Sequence, residues 1–270
     1  MKVGVFDSGM GGLTILQDLR QHAPQYHYLY LGDNARTPYG NRSFETILKF
    51  SEQAVDFLFQ QDCQIIIIAC NTSSAKALRT IQQRYLPGNH PDRRVLGVIR
   101  PSVERVPRHS STKTVAVWAT AGTVQSDSYG IEFKHIAPDF TIIQQACPLL
   151  VPLIENGELD NEGLSFFIRK YWKETVSQSD NIDVLLLGCT HYPIIYRQIK
   201  ELLPPSVTVL NQGKLVGPSW KDYLDRHREL EQKLDRTEKT EFLTTDRPEN
   251  FNYLAEIFLG HPVSARKVEL

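Results

Sequence analysis

The chain predicts an α/β fold built as two similar doubly wound domains with mostly parallel sheets, related by a pseudo-twofold and sharing a cleft. Three observations lead there. Apolar strand-like runs alternate with helix-like segments through most of the 270 residues, the pattern of right-handed βαβ units around a parallel sheet. VGVFDSGMGGLT near the start is echoed by VAVWATAGTVQS near the middle, so the alternation reads as one unit duplicated. Each half also carries a cysteine at similar depth: Cys70 lies 67 positions after Val3, and Cys189 lies 74 after Val115. The expected division is residues 1–97 with 208–270 for the first domain and 98–207 for the second.

Taken in order, KVGVF is a strand followed by the helix GLTILQDLRQHA; YHYLYLG precedes SFETILKFSEQAVDFLFQQ; QIIIIA precedes SSAKALRTIQQRYL. PGNHPDRR is rich in turn formers and charge and reads as a surface loop before the strand VLGVI. The second series runs TVAVWATAGTV, EFKHIAPDFTIIQQAC, the helix GLSFFIRKYWKETVSQ and the strand of NIDVLLLGCT. SWKDYLDRHRELEQKLDRTEKT reads as a charged, solvated helix with Tyr223, His227, Leu230 and Leu234 at helical spacing. TEFLTTDRPENFNYLAEIFLG reads as a strand, an Asp246 N-cap, a proline in the first turn and a helix stopped by Gly260.

Composition excludes several classes. Thirty Lys and Arg against 31 Asp and Glu leave a net charge of −1, so no basic field recruits nucleic acid or an anionic membrane, and a small molecule is the expected ligand. No apolar run approaches the roughly 20 residues that cross a bilayer, and the first strand begins at Val3 with no signal-type leader; a cytoplasmic location is expected. Four cysteines without a small-scaffold spacing fit a reducing compartment.

Cys70 and Cys189 each end an apolar strand and precede a helix-like segment. A helix N-terminus stabilises a thiolate, lowering its pKa from about 8.5 and making it a competent base. A lone cysteine there would read as a small buried residue; two in matched contexts, on strands that face one another, can approach one carbon centre from opposite sides. His191, two residues after Cys189, and Asp7, at the end of the first strand, can each set the protonation state of a thiol; the alternative reading of Asp7 is a cap on the next helix. Gly9, Gly11 and Gly12 fail as a dinucleotide fingerprint because Thr14 stands where the third glycine belongs, although Asp33 mimics the ribose acid. They fit better as a turn offering N–H groups to a carboxylate. GDNARTPYGNRS, around Tyr39, is either an ordinary connection or a substrate lid. Neither Cys63 nor Cys147 supplies the local pairing of a zinc site, and there is no C-x-x-C, so no metal or redox disulfide is expected.

VGVFDSGMGGLTIL, YLGDNARTPYGNRS, IIIIACNTSSA, GTVQSDSY, CPLLVPLIENGE and LLLGCTHYP together make the chain similar to the glutamate racemases of the cofactor-independent aspartate/glutamate racemase superfamily, over nearly its whole length. The resemblance implies interconversion of L- and D-glutamate without a cofactor, supply of D-glutamate for peptidoglycan biosynthesis and so for cell shape, and a homodimer. It implies that Cys70 and Cys189 exchange protons with opposite faces of Cα, Asp7 supporting the first and His191 the second. Substrate contacts carried over are Asp7, Ser8, Tyr39, Gly40, Asn71, Thr72, Thr123, Thr190 and His191, with Asp33 and Glu155 in secondary proton-handling roles. Two stretches depart from the family pattern: Arg100-Pro101-Ser102 stands where many relatives have Glu-Pro-Gly, and VLNQGKLVGP lacks the usual small and acidic residues. Altered dimer or hinge behaviour is expected from them. The runner-up is an aspartate racemase, against which His191 argues, since those relatives tend to carry Glu there. Some glutamate racemases restrain DNA gyrase, but no basic patch supports that role here.

Overall fold

A computed structural model describes all 270 residues. Its strands are β1 (Lys2–Asp7), β2 (Tyr28–Gly32), β3 (Cys63–Ile68), β4 (Arg94–Gly97), β5 (Thr114–Ala119), β6 (Thr141–Ala146), β7 (Val184–Leu187), β8 (Thr208–Asn211), β9 (Thr240–Thr244) and β10 (Ala265–Lys267). They form a six-stranded sheet ordered β10-β9-β2-β1-β3-β4 and a four-stranded sheet ordered β6-β5-β7-β8. Every strand pairing is parallel. The order β2-β1-β3-β4 repeats as β6-β5-β7-β8, so the fold is doubly wound α/β and the two halves share one topology.

The apolar runs are strands buried on both faces. Along β1, Val3 and Val5 join one core and Phe6 the other; along β3, Ile65 and Ile67 oppose Ile66 and Ile68. The second sheet repeats this, with Ala116 and Trp118 on one face and Val115 and Val117 on the other. Helices begin where the sequence supplies caps. Ser43 accepts from the Thr46 N–H at the start of Phe44–Gln60, and Asn161 from the Leu164 N–H at the start of Glu162–Val176.

Four expectations change. The edge strand β8, Thr208–Asn211, pairs with β7 in the second sheet, so the return to the first half begins at Gln212 and not at residue 208. The charged tail is a helix over Gln212–Arg226 that ends before His227, and it is not merely solvated: Trp220, Leu224, Leu230 and Leu234 are buried in the first core. The helix Pro248–Leu259 has Arg247, not Asp246, at its N-cap position, with Pro248 in its first turn and Gly260 left-handed at its end. PGNHPDRR is partly helical, since Leu86–Asn89 forms a turn of helix. No helix is long and apolar enough to cross a membrane.

Candidate active site

Parallel sheets present the carboxyl ends of their strands to ligands, and both cysteines stand there. Cys70 follows β3 and sits at the N-cap position of the short helix Asn71–Lys76. Cys189 follows β7 and leads, through Thr190 and His191, into a 3-10 turn over Tyr192–Ile195 with Pro193 at its start. The two thiols, both buried, line one cavity of about 50 Å³ between the halves.

Their surroundings differ. Cys70 Sγ donates to Ser8 Oγ at 3.4 Å. Burial pushes this thiol up to about 11, helped by the negative charge of Asp7, and so overrides the expected lowering at the start of the short helix. Asp7 lies fully buried behind the wall: its carboxylate accepts from the Gly9 N–H at 3.0 Å and from Thr190 Oγ1 at 3.3 Å. Burial raises its pKa, while His191, the N–H groups of Gly9 and Gly12, and Thr190 pull it back.

On the other side, His191 Nδ1 is 4.0 Å from Cys189 Sγ and Nε2 is 3.0 Å from Glu155 Oε1. Burial opposes charge on this ring, yet hydrogen bonds to Cys189 and Glu155 prevail and hold its pKa up at about 10. These two contacts favour the charged form of the ring. Gly11 makes this approach possible: a methyl there would collide with Thr190 Oγ1 and stand 2.5 Å from His191 Nδ1. The glycine turn thus serves close packing of the two halves, and the Gly9 N–H is spent on Asp7.

A family model, Asp/Glu/Hydantoin racemase, matches residues 13–215. Glutamate racemase of Aquifex aeolicus is 35% identical over 267 residues, covering 98% of this chain and 97% of that protein. The chain belongs to the glutamate racemase family. Solved members share its fold. A glutamate racemase isoform of Bacillus anthracis superposes with a TM-score of 0.90 at 30% identity, covering 100% of this chain and 97% of that one. The Francisella tularensis glutamate racemase, crystallised with D-glutamate, gives 0.86 at 33% identity over 99% of this chain and 97% of that one. Membership makes the protein an isomerase.

Of the residues read from the sequence, Ser8, Tyr39, Gly40, Asn71, Thr72, Thr190 and His191 line the cavity with both thiols. Thr123 does not line it; its hydroxyl meets Thr120 Oγ1 at 3.1 Å, and Thr120 stands on the wall instead, 3.0 Å from Thr72 Oγ1. Asn71 contributes its place on the wall, but its side-chain amide is bound to Gln212 and Tyr129. Asp33 lies behind Tyr39, whose hydroxyl donates to it, and also accepts from Arg36 Nε at 2.6 Å. Glu155 reaches the cavity only through His191. The sequence reading missed Thr120, Cys147, Pro148, Val151 and Pro152, all on the wall. The internal repeat holds the signal for Thr120, which aligns with Ser8. No group of three or more His, Cys, Asp or Glu side chains is placed to hold a metal ion.

Proposed function

We propose that the protein interconverts L- and D-glutamate by a two-thiol mechanism, in the cytoplasm, and so supplies D-glutamate for peptidoglycan. The observation that supports this most is the convergence of Cys70 and Cys189, one from each half, on a single buried cavity. In the forward step a thiolate on one wall takes the Cα proton, leaving a carbanion, and the thiol on the other wall protonates the opposite face. Configuration inverts, the two sulfurs have exchanged protonation states, and the reverse reaction uses the same groups in swapped roles. The Cα proton is far less acidic than a thiol, so donors must sit where charge develops; the hydroxyls of Ser8, Thr72 and Thr120 supply them, while that of Thr190 is committed to Asp7. A cavity of about 50 Å³ holds only a few waters, so the walls must part to admit an amino acid and close to exclude water.

The D-glutamate bound by the Francisella relative supports glutamate as the ligand. The test is incubation of purified protein in deuterated water with each enantiomer of glutamate and of aspartate, and no added cofactor. Exchange of the glutamate Cα hydrogen with equilibration of its enantiomers is expected; preference for aspartate would reverse the assignment. If Cys70→Ala and Cys189→Ala each leave racemisation intact, the two-thiol mechanism is wrong. The same reading extends to a homodimer, for which light scattering should return twice the mass of one chain.

A further inference from the structure

Four buried polar side chains from four segments meet behind the Cys70 wall. Asn71 opens the helix after Cys70, and Tyr129 lies in the helix Ser128–Ile136 of the second half. Ser102 lies in the helix Ile99–Arg105, where the chain first crosses between halves, and Gln212 opens the helix by which it crosses back. None is more than 2% exposed. Their hydrogen bonds close a circuit. Asn71 Nδ2 donates to Gln212 Oε1 at 2.7 Å, Gln212 Nε2 donates to the Tyr129 hydroxyl at 2.8 Å, and that hydroxyl donates to Asn71 Oδ1 at 2.7 Å. The second Nε2 proton of Gln212 goes to Ser102 Oγ at 3.0 Å, whose own proton goes to the Val98 carbonyl at 2.6 Å. One amide thus ties both crossings to the residue that adjoins Cys70. A buried network this complete is costly to interrupt, because each freed partner is left unpaired.

We propose that Gln212 is a positioning residue for Cys70. It fixes the side chain of Asn71, and with it the backbone at the start of the helix, so that the Cys70 sulfur is aimed into the cleft. Cys189 has no such tie; its ring partner is held by Glu155. Loss of Gln212 therefore disturbs one proton transfer and spares the other. The proposal rests on the two-thiol reading.

The experiment compares wild type and Gln212→Ala on L- and D-glutamate, each deuterated at Cα. Enantiomers are equal in energy, so kcat/KM must fall equally in both directions, here by about tenfold or more. The primary isotope effects separate the thiols. We expect a rise only for the enantiomer that Cys70 deprotonates, identified as the one whose Cα exchange survives in Cys189→Ala. Tyr129→Phe opens the same circuit while keeping the ring, and should give the same one-sided rise if Gln212→Ala does not fold. Isotope effects that move together, or stay as in wild type, overturn the proposal. Failure of the two-thiol reading looks different: Cys70→Ala and Cys189→Ala would then each racemise as wild type does.

Discussion

Set side by side, the two halves share strand order but not chemistry. At the end of β1 stand Asp7 and Ser8; at the matching end of β5 stand Ala119 and Thr120. Asp33 follows β2, whereas Cys147 follows β6. The first half therefore has two buried carboxylates at its strand ends, of which Asp7 helps to push Cys70 up to about 11. The second half supplies the group that favours positive charge, a histidine whose pKa Cys189 and Glu155 push up to about 10. Asp7 and His191 then face each other across the boundary, Thr190 bridging toward Asp7. A duplicated backbone delivers two thiols to opposite walls; the side chains around them have specialised, one side anionic and one cationic. On the two-thiol reading proposed above, racemisation needs both thiols equally while tolerating unlike partners, because each transfer has its own protonation requirement.

The largest effect that could break this comparison is removal of either sulfur. Cys70→Ser and Cys189→Ser should each lower racemisation on the order of a thousandfold or more, yet each should keep slow Cα exchange of one enantiomer, and a different one. Deuterium incorporation followed by chiral chromatography reads this directly. If either variant racemises normally, or both exchange the same enantiomer, the halves do not act on opposite faces.

Next comes the contact between halves. Gly11→Ala drives a methyl into Thr190 and His191 and should cost on the order of a hundredfold in kcat/KM, since displacement of a catalytic group by about 1 Å has that scale. A crystal structure of the variant should show His191 moved away from Cys189. Full activity with His191 in place would mean that the glycine is not required for this approach.

A smaller, pH-dependent effect tests the cationic side. Glu155→Gln removes one of the two groups that raise the His191 pKa above 6.5 to about 10. The ring titration, followed by NMR, should move down from about 10, the alkaline limb of the rate profile should move with it, and activity near neutrality should fall about tenfold. The same shift has a stability consequence. A group whose folded pKa is raised contributes stability fully below its unfolded pKa, about 6.5, and loses it as pH rises through the folded value. Thermal melts of wild type should therefore decline between about 6.5 and 10, and the decline in Glu155→Gln should be complete at lower pH. An unmoved titration would show that Cys189 alone sets the charge of the ring.

Much of this was legible in the sequence because buried parallel strands are continuous apolar runs: QIIIIA and VLLLGC announce both strands and both thiols. The weak signals failed for physical reasons. β8 and β10 are only partly buried and so lack the continuous apolar run of the equally short β7, and the missed β8 shifted the domain boundary. Leu230 and Leu234 sit beyond a break at His227 that helical spacing alone does not reveal. Thr120 could have been found by carrying Ser8 through the repeat. The partnership of Gln212 with Asn71 joins residues 141 positions apart, and no local pattern encodes it, although the altered stretches around Ser102 and Gln212 marked both places as unusual.

The smallest predicted effect concerns the seam itself. Thr14 Oγ1 reaches the Gly11 carbonyl at 2.9 Å and the Thr190 carbonyl at 3.1 Å, so one hydroxyl touches the glycine turn of the first half and the cysteine loop of the second. Thr14→Val keeps the branched shape and removes the donor, leaving buried carbonyls with one partner fewer. The expected cost is about 1 kcal/mol, read as a lower urea midpoint with an unchanged m-value, and racemisation should stay within about twofold of wild type because Thr190 keeps its bond to Asp7. A loss of activity much larger than the loss of stability would mean that the position of the Thr190 carbonyl is itself limiting, and that the seam between the halves, more than the chemistry on either wall, sets the rate.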